Sequence, residues 1–431
     1  MNYREALAYL DEHAGYETTG RVTSPSLDRI ERLVGAMGDP QHACPVIHIT
    51  GTNGKGSTAQ IITRLLVAQG LTVGTYTSPH LETVNERLAR DGEAISDDDL
   101  AEQIAAIADL EGVVGVRPSY FEILTAAAYR WFADIAVDVA VVEVGLLGRW
   151  DATNVADARI AVVTNVGYDH TEFAGPRLSD VAAEKAGIIK PGSFLVLGET
   201  DPDLAGIFRA KPSTGVIERD IDFAVDESTL ALGGRLLAIQ TPLASYTELF
   251  LPLHGHHQGD NAALALAAVE SFFGAPISVD IVTEGFAAVT MPGRFEVLGH
   301  QPLVIIDGAH NPPGADVCAS VMADDFDPAG QRILVVGLLK GRDPQMMLEA
   351  LRAEEAGRLI CCTPPSARSI PAEEVAAVAR RIGIADVIAI DDVAKACDVA
   401  IAGAESDDAI LVTGSLYTVG AARAHLRHLL R

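Results

Sequence analysis

The sequence predicts an α/β protein in which a larger N-terminal unit, built on a mostly parallel β-sheet, precedes a smaller Rossmann-like α/β unit. Two observations predict this class. The chain of 431 residues is too long for a single hydrophobic core. Short β-branched runs also alternate with segments of helical periodicity, which is typical of parallel sheets covered by helices. A hydrophobic fraction of 48% fits a globular protein rather than a disordered or fibrous one.

The first predicted strand, Val46–Thr50, leads into a glycine loop around a lysine. Gly51, Gly54 and Gly56 allow the backbone to approach a ligand closely, and Lys55 stands between the last two. The apolar residues after the loop recur at helical spacing, namely Ile61, Ile62, Leu65 and Leu66. A strand, a glycine loop with a lysine, and a helix are together typical of a site that wraps backbone N–H groups around phosphates.

The residues of this loop predict nucleotide binding with magnesium. Lys55 would reach the outer phosphates, and the hydroxyl of Ser57 or Thr58 would meet Mg²⁺. Only Thr52 and Asn53 separate the first glycine from the second, whereas the general consensus has a longer spacer. An ordinary glycine-rich turn between a strand and a helix therefore remains the alternative.

Further strands are predicted on both sides of position 290. In the N-terminal part they are Thr72–Thr77, Val137–Val144, Ile160–Val166 and Phe194–Leu197. Residues 219–252 lack helical periodicity and predict short antiparallel strands, and Asn261–Phe273 predicts a helix. In the C-terminal part the strands are Leu303–Ile306, Ile333–Val336, Leu359–Cys362, Val387–Ile390 and Ile410–Thr413. The interruption of the pattern at 290–297 predicts the boundary between the two units.

The charge balance argues against several classes of partner. The chain has 32 Lys and Arg against 59 Asp and Glu, a formal charge of −27, which disfavours nucleic acid and anionic membranes. Five cysteines without a C-x-x-C pair predict the reduced thiols of a cytoplasmic protein. The N-terminus lacks the apolar run of a signal peptide, and no apolar run approaches the length of a membrane span.

Three polar residues follow predicted parallel strands. Ser78 follows the strand Thr72–Thr77, Glu143 stands at the end of the next one, and His170 follows Ile160–Val166. Ligands of open α/β sheets bind beyond the carboxyl ends of the strands, so we expect these side chains beside the glycine loop. A hydroxyl, a carboxylate and an imidazole suit a divalent cation, although Mg²⁺ prefers oxygen ligands. A loop polar group or a satisfied histidine is the alternative for each residue alone.

Asp307 and His310 follow a strand of the second unit. Asp307 would accept hydrogen bonds from a nucleotide ribose, with a strand-end Asx turn as the alternative. His310 would lie where the second unit closes over the ligand. The acidic run after Ser96 predicts a helix N-terminus with a Ser96/Asp99 capping box rather than a metal cluster.

Single basic residues are less informative. Arg87, Arg149 and Arg294 lie in motif-like loops, where arginine either binds carboxylate and phosphate or is simply exposed. Composition alone predicts that Lys185 is a lysine on a helix surface.

Ten short motifs occur in a recognisable order along the chain. They are Gly51-Thr-Asn-Gly-Lys-Gly-Ser57, Thr77-Ser-Pro-His-Leu81, Asn85-Glu-Arg87, Glu143-Val-Gly145, Asp151-Ala-Thr-Asn154, Asp169-His170, Glu184-Lys-Ala-Gly-Ile188, Gly293-Arg294, Asp307-Gly-Ala-His-Asn-Pro312 and Thr413-Gly-Ser-Leu-Tyr417. Together they resemble the folylpolyglutamate synthase/dihydrofolate synthase family, a branch of the Mur ligases. The resemblance covers nearly the whole chain.

This resemblance implies a Mur-ligase-type ATP-binding domain with a P-loop over residues 1–292 and a C-terminal glutamate-ligase domain over 293–431. Members of the family join L-glutamate to a pteroate or folate carboxylate using ATP. We therefore expect an ATP-dependent ligase that uses ATP and Mg²⁺ and forms an acyl phosphate on dihydropteroate, on a reduced folate, or on both. We expect a cytoplasmic monomer that binds neither nucleic acid nor membrane.

The resemblance also implies roles for individual residues. The residues expected to bind ATP are Thr52, Asn53, Gly54, Lys55, Gly56, Ser57, Asn261, Arg294 and Asp307. The residues expected to ligate Mg²⁺ are Ser57, Ser78, Glu143, His170 and Lys185, the last as a carbamate. The residues expected to contact the folate or glutamate substrates are His80, Arg87, Phe121, Glu122, Trp150 and Asp151. Lys55, Lys185 and His310 are the expected catalytic residues.

The sequence departs from the family pattern at two places. Leu147 occupies a position that is usually glycine, and if its φ must be positive, leucine costs about 1–2 kcal/mol. Lys340-Gly-Arg-Asp343 stands where Asp-Lys-Asp is common.

Two other functions remain as alternatives. One is a Mur ligase acting on peptidoglycan precursors, although only 50 residues precede Gly51, too few for the UDP-sugar-binding domain that such ligases generally carry there. The other is a nucleotide-binding P-loop protein without ligase activity, which leaves the motifs at 184–188 and 307–312 unexplained.

Overall fold

The computed structural model describes residues 1–13, 15, 25–168 and 171–430. The predicted mixed α/β architecture is confirmed. The first eight strands are β1 Val46–Thr50, β2 Val73–Tyr76, β3 Leu88–Arg90, β4 Glu93–Ala94, β5 Val139–Glu143, β6 Ala158–Val163, β7 Phe194–Leu197 and β8 Gly215–Glu218. Within the described residues they form one sheet in the order β4-β3-β2-β5-β1-β6-β7-β8. Pairing from β2 through β8 is parallel, and β3 and β4 add an antiparallel edge.

Helices cover both faces of this sheet. They are α1 Tyr3–Asp11, α2 Asp28–Ala36, α3 Lys55–Ala68, α4 Asp97–Val114, α5 Tyr120–Asp134, α6 Thr171–Ala174, α7 Leu178–Lys185 and α8 Pro202–Arg209. Every residue of β1 is buried, as expected for a parallel strand with helices on both sides. Ile47 and Ile49 pack towards α3, whereas Val46 packs towards α1, α2 and α5.

A small antiparallel sheet follows the first sheet. Its strands are β9 Ala224–Ala231, β10 Gly234–Gln240 and β11 Ser245–Leu251, with β10 in the centre. Two helices come next, α9 His256–Phe273 and α10 Val279–Ala287. Both pack on α3 in the same hydrophobic cluster as Ile61, Ile62, Leu65 and Leu66, which confirms the face predicted from helical spacing.

The C-terminal sheet contains β12 Glu296–His300, β13 Leu303–Ile306, β14 Arg332–Val336, β15 Arg358–Cys362, β16 Val387–Ile390 and β17 Ala409–Thr413. Its order within the described residues is β12-β13-β17-β14-β15-β16, and only β12 is antiparallel to its neighbour. The helices are α11 Pro312–Val321, α12 Pro344–Ala350, α13 Ala372–Arg381, α14 Val393–Ala402 and α15 Leu416–Leu429. Two hydrophobic clusters, one on each face, give this part a three-layer arrangement.

Short helical turns connect these elements. Those of 3₁₀ type are Pro40–His42, Val84–Arg87, Ala152–Val155, Ala186–Ile188 and Ala353–Glu355, and a π-turn spans Met322–Phe326. The predicted helix N-terminus at Ser96 is also confirmed, because the Ser96 side chain accepts a hydrogen bond from the Asp99 N–H at the start of α4, which is one of the two bonds of the predicted capping box. No helix among the described residues is long and apolar enough to cross a membrane.

Arg235 and Asp325 form a buried ion pair between β10 and the π-turn after α11. The side chains are 3% and 1% exposed, and Arg235 Nη1 lies 2.7 Å from Asp325 Oδ1. Arg235 also donates to the carbonyl of Ser228, and Asp325 Oδ2 accepts a hydrogen bond from the Gly255 N–H. This network connects the antiparallel sheet, the start of α9 and the C-terminal part of the chain.

Replacement of Arg235 by methionine should destabilise the protein strongly, because Asp325 would remain buried without its cation. Breaking a buried ion pair from one side costs about 3–5 kcal/mol. The shift in the urea or thermal unfolding midpoint measures this cost. Arg380→Met is the matched control, since Arg380 pairs with Glu373 at the surface, where such pairs contribute about 1 kcal/mol or less. Equal midpoints for the two variants would contradict the importance of the buried pair.

Candidate active site

A cavity of about 1030 Å³ opens between the first sheet and the C-terminal sheet. Its walls come from the loops that follow β1, β2, β5 and β6 and from those that follow β13, β14, β15 and β17. All of these loops lie at the carboxyl ends of parallel strands, where α/β sheets bind ligands. The two carboxyl edges therefore face a shared space.

The glycine loop has a conformation that side chains would prevent. Gly54 has φ +83°, and a Cβ there would lie 2.5 Å from Asn261 Oδ1. A Cβ on Gly51 would lie 1.7 Å from Thr164 Oγ1. Both positions consequently require glycine, and the first residues of α3, from Lys55 to Ser57, line the cavity with N–H groups that have no partner within the helix.

Asn53 connects the glycine loop to both sheets. Its carbonyl accepts hydrogen bonds from Thr164 Oγ1 at 2.6 Å and from Asn165 Nδ2 at 3.1 Å. Its side-chain amide pairs with that of Asn311, the N-cap of α11, through contacts of 3.0 and 3.4 Å. Asn311 is completely buried and also accepts the Gly314 N–H. The phosphate loop and the C-terminal sheet are thus in direct contact through two amide side chains.

Several predicted nucleotide residues surround this loop. Lys55, Asn261, Arg294, Asp307 and His310 all line the cavity. The Lys55 Nζ donates to the Thr52 carbonyl at 3.2 Å, and the Asn261 Nδ2 donates to Gln258 Oε1 at 3.0 Å. The loop, α9 and the C-terminal sheet thus contribute to the lining of one cavity, and nucleotide binding by these residues stays a prediction.

Asp307 forms the strand-end Asx turn that was the alternative to ribose binding. Its Oδ1 accepts the Ala309 N–H two residues on, so the Asx turn is present, and its Oδ2 accepts the Phe295 N–H. Burial raises the pKa of Asp307, and nearby Arg294 opposes that increase. His310 Nδ1 lies 3.0 Å from the Gly308 carbonyl.

Glu143 and Ser78 lie together beside the phosphate loop. The Ser78 N–H donates to Glu143 Oε2 at 3.2 Å, and a Cβ on Gly56 would lie 3.6 Å from the same oxygen. Burial raises the pKa of Glu143, whereas Lys55, the Ser78 N–H, Arg294 and Arg87 lower it. Ser57 lines the same cavity in the first turn of α3.

These oxygen donors fit a divalent cation, because a buried carboxylate and hydroxyls beside a phosphate-binding loop match the ligand preference of Mg²⁺. His170, the fourth predicted ligand, lies outside the described residues. Within the described part of the chain, no group of three or more His, Cys, Asp or Glu side chains could hold a metal by itself.

The prediction that Lys185 lies on the surface of its helix is wrong. It is only 2% exposed, and its Nζ donates to the Gly51 carbonyl at 2.7 Å. The side chain therefore supports the glycine loop from behind, at the end of α7, although it does not line the cavity. Helix composition could not reveal this position, because the contact spans 134 residues of sequence.

The four residues predicted to contact the pterin, Phe121, Glu122, Trp150 and Asp151, line the same cavity. Trp150 is 49% exposed, whereas Asp151 is buried. Glu122 accepts two hydrogen bonds from the Arg29 Nε, at 3.1 and 3.0 Å. Aromatic rings beside a buried carboxylate can accommodate a flat heterocycle that donates hydrogen bonds.

A buried hydrogen-bond chain behind Asp151 was not predicted. Burial lowers the pKa of His48 to about 3, so its imidazole is neutral. The Thr153 hydroxyl donates to Asp151 Oδ1 at 2.5 Å. Because this hydroxyl proton is used, Thr153 Oγ1 accepts a hydrogen bond from His48 Nε2 at 2.8 Å. Tyr129 donates to the Thr153 carbonyl. His48 interrupts the apolar strand β1, and that interruption was the available sequence signal.

Two predicted substrate residues, His80 and Arg87, do not line the cavity. Arg87 is fully buried, which excludes the exposed alternative, and its Nε donates to His80 Nδ1 at 2.9 Å. Its guanidinium also lies 5.4 Å from the ring centroid of Tyr120. Arg149 likewise lies outside the lining and pairs with Glu184 at 3.5 Å.

Leu147 has φ +59° and lines the cavity, so leucine does occupy a left-handed position. Its carbonyl accepts a hydrogen bond from Thr50 Oγ1 at the end of β1. The loop thus retains a conformation that favours glycine, and Leu147 lines the cavity together with Trp150 and Asp151.

Comparison with known proteins identifies relatives over nearly the whole chain. The family model for the Mur ligase middle domain matches residues 119–269, and that for the glutamate ligase domain of Mur ligases matches residues 293–416. The dihydrofolate synthase/folylpolyglutamate synthase of Mycobacterium tuberculosis is 39% identical over 442 residues, covering 93% of this chain and 89% of that protein.

Solved structures show the same similarity. Mycobacterium tuberculosis folylpolyglutamate synthase complexed with ADP has a TM-score of 0.92 and 37% identity, with 98% of each chain covered. Escherichia coli FolC in complex with DHPP and ADP has a TM-score of 0.88 and 30% identity, with 100% and 99% covered. A bifunctional folylpolyglutamate synthase/dihydrofolate synthase with Mn, AMPPNP and L-glutamate bound has a TM-score of 0.85 and 29% identity, with 99% and 98% covered.

Replacement of Leu147 by glycine should yield a more stable protein than replacement by alanine. Both changes remove the leucine side chain beyond Cβ, but only glycine, which also lacks Cβ, relieves the positive φ, which costs other residues about 1–2 kcal/mol. The greater freedom of glycine in the unfolded chain offsets part of this gain. We expect Leu147→Gly to exceed Leu147→Ala by about 1 kcal/mol in urea unfolding, and an alanine variant of equal or greater stability would contradict the strain.

Proposed function

Because the chain belongs to the folylpolyglutamate synthase/dihydrofolate synthase family of Mur ligases, we propose that it ligates L-glutamate both to dihydropteroate and to reduced folates. ATP-dependent ligation of glutamate to folates is the activity of this family and of this chain. The finer proposal is that a single enzyme serves both acceptors. It is supported by one observation: the phosphate loop and the aromatic wall at Phe121 and Trp150 line the same cavity.

The first chemical step transfers the γ-phosphoryl group of ATP to the acceptor carboxylate. Lys55 and Arg294 are the cations proposed to stabilise the charge on the transferring group. Both lie close enough to lower the pKa of Glu143, with Lys55 the stronger influence, so they contribute to the same electrostatic environment. Asn261 of α9 and Asp307, which follows β13, both line the cavity and are proposed to hold the nucleotide.

Ser57, Ser78 and Glu143 are proposed to hold the divalent cation, with His170 as a further ligand. The cation would neutralise charge on the phosphate oxygens. Glu143 is prepared for this role because burial disfavours its charged form until a cation is close. The Ser78 N–H hydrogen bond fixes the direction of one of its oxygens.

In the second step the amine of L-glutamate attacks the acyl phosphate, forming the amide bond and releasing phosphate. His310 lies on the C-terminal wall, where it is proposed to orient the incoming amino acid. Asp151, held by Thr153, is proposed to accept hydrogen bonds from the pterin ring. Because neither His80 nor Arg87 lines the cavity, these two residues are proposed to act indirectly, by supporting the residues that contact the substrate.

The remaining proposals concern the organisation of the chain. We propose an ATP-binding domain over residues 1–292 and a glutamate-ligase domain over 293–431, which close on each other to exclude water from the acyl phosphate. The protein is proposed to act as a cytoplasmic monomer. Its five cysteines are unpaired, which favours a reducing compartment.

The test of bifunctionality is kcat/KM with dihydropteroate and with tetrahydrofolate under matched conditions. We expect both to be ligated, because one cavity contains the phosphate loop and the aromatic wall. Lys55→Ala is the inactive control, and it should lower turnover by about a thousandfold or more with an unchanged unfolding midpoint. Activity with only one acceptor would identify a monofunctional enzyme, and near-normal turnover of Lys55→Ala would overturn the phosphate-loop assignment.

We also propose that Lys185 is carbamylated in the active enzyme. The carbamate nitrogen keeps one N–H for the Gly51 carbonyl, while its carboxylate supplies an anionic oxygen in place of an ammonium. Lys185→Ala should lose activity and regain part of it when short carboxylic acids are added. Lys190→Ala, which removes a half-buried lysine that donates to the carbonyls of Asn154 and Ala156, should not respond to them. An unmodified amine in a CO₂-equilibrated nucleotide complex would contradict the carbamate.

A further inference from the structure

Arg423 of α15 joins two carboxylates that belong to different parts of the chain. Its Nη1 donates to Glu82 Oε1 at 2.5 Å, and its Nε donates to Glu296 Oε2 at 2.7 Å. Glu82 lies in the loop after β2, whereas Glu296 is the first residue of β12 in the C-terminal sheet. The Arg423 side chain is only 13% exposed, so solvent screens these contacts less than it screens pairs at the surface. We refer to Arg423, Glu82 and Glu296 as the arginine bridge.

On one side, the arginine bridge holds the loop that contains Ser78. The carboxylate of Glu86 accepts hydrogen bonds from the backbone N–H groups of residues 81–83, at 2.7–2.9 Å, which fixes the loop around Glu82. Ser78, earlier in the same loop, lines the cavity, and its N–H donates to Glu143 Oε2. The position of Glu82 therefore constrains the position of Ser78 beside Glu143.

The same loop contacts α15 through Leu81. Leu81 packs in the hydrophobic cluster on one face of the C-terminal sheet, together with Val304 and Val419. A Cβ on Gly420 would lie 2.1 Å from the Leu81 carbonyl oxygen, so α15 has glycine where the loop backbone comes closest. Arg423 lies one turn further along the same helix. The arginine bridge thus continues a contact that the loop already makes with α15.

On the other side, the arginine bridge holds the turn that contains Arg294. Glu296 Oε2 accepts the Gly293 N–H at 2.8 Å as well as the Arg423 Nε. The Gly293 carbonyl in turn accepts the Gly308 N–H at 2.8 Å. These contacts fix the backbone directly before Arg294, which lines the cavity, whereas Arg423 itself lies outside the described lining.

We propose that Arg423 is a positioning residue that aligns Ser78 of the metal site with Arg294 of the phosphate site. This inference rests on the proposed glutamate ligation, in which Ser78 would bind the divalent cation and Arg294 would bind the transferring phosphoryl group. These two groups come from different parts of the chain, yet they must act on the same phosphate. Because phosphoryl transfer is catalysed mainly by positioning and charge, a displacement of about 1 Å between them can lower the rate about a hundredfold.

The geometry of the arginine bridge depends on a guanidinium. Two different nitrogens of one planar group contact the two carboxylates, so the group itself fixes the separation of Glu82 from Glu296. A lysine ammonium is a single point charge on a flexible stem, and it would keep the charge without fixing that separation. Arg423→Lys therefore distinguishes alignment from charge neutralisation.

The experiment measures nucleotide binding without turnover, by isothermal titration calorimetry. The ligands are ADP without metal and a non-hydrolysable ATP analogue with Mg²⁺. ADP without metal needs neither Ser78 nor Arg294, so we expect its affinity to be unchanged in every variant. Affinity for the analogue with Mg²⁺ should fall about tenfold in Arg423→Gln, a usual size of coupling between two sites, and by a smaller factor in Arg423→Lys. Arg332→Gln is the matched control, because Arg332 pairs with Glu355 at the end of β14 that is remote from the cavity.

Steady-state kinetics provide a second readout. Arg423→Gln should lower kcat about tenfold, while the KM for the folate acceptor stays near that of the wild type, because the aromatic wall at Phe121 and Trp150 does not depend on the arginine bridge. Glu82→Gln breaks the connection to the Ser78 loop alone. If Glu82 transmits the effect, adding Glu82→Gln to Arg423→Gln should cause little further loss.

The outcomes separate alignment from stability and from the proposed function. Equal losses of affinity for ADP and for the analogue with Mg²⁺, or no loss of either, would overturn the positioning role. A lower unfolding midpoint with unchanged binding would also overturn it and would assign the arginine bridge to stability alone. Full recovery in Arg423→Lys would show that charge, rather than alignment, is what Arg423 supplies. Absence of ligation by a wild type that binds nucleotide normally would instead contradict the proposed function.

Discussion

The conformation of the phosphate loop depends on Asn53, and much of the site depends on that conformation. Its backbone is held by Thr164 and Asn165 beyond β6, and its side chain pairs with Asn311 at the start of α11. Asn53 therefore connects the loop after β1, the loop after β6 and the C-terminal sheet. Gly51 and Gly54 have no room for side chains, so the loop lies close against Thr164 and Asn261. The cavity exists because these contacts hold two carboxyl edges face to face.

The electrostatics of the cavity follow from this arrangement. Burial raises the pKa of Glu143, Asp151 and Asp307, so their charged forms are disfavoured by desolvation. The same charges are offset by Lys55, Arg294 and backbone N–H groups. A site that holds buried carboxylates beside cations is suited to a ligand carrying both a metal ion and phosphates. A bound cation would favour the charged forms of these carboxylates and so offset part of the cost of their desolvation.

Several residues that do not line the cavity hold the groups that do. Lys185 holds the Gly51 carbonyl from behind the loop, and His48 holds Asp151 through Thr153. Arg87 is buried against His80 and Tyr120, one step away from the substrate wall. These side chains orient the groups that contact ligands, and their own positions are determined by packing. At Leu147, by contrast, the backbone has a positive φ although leucine does not favour that conformation.

Local pattern in the sequence was sufficient for much of this protein. The strands β1, β7, β13 and β16 have the predicted bounds, and the other predicted strands differ by only a few residues at their ends. The glycine loop and the polar residues at strand ends were also recognisable, because periodicity and turn chemistry act over short distances. The hairpin of β3 and β4 and the antiparallel edge β12 were not predicted, since such short strands have little pattern of their own. Tertiary structure alone decided which distant groups meet: Asn53 with Asn311, Lys185 with Gly51, Arg235 with Asp325, and the loop of Lys340 with that of Arg368. Sequence determines which elements form and which faces are buried, whereas sheet order and packing determine which loops become neighbours.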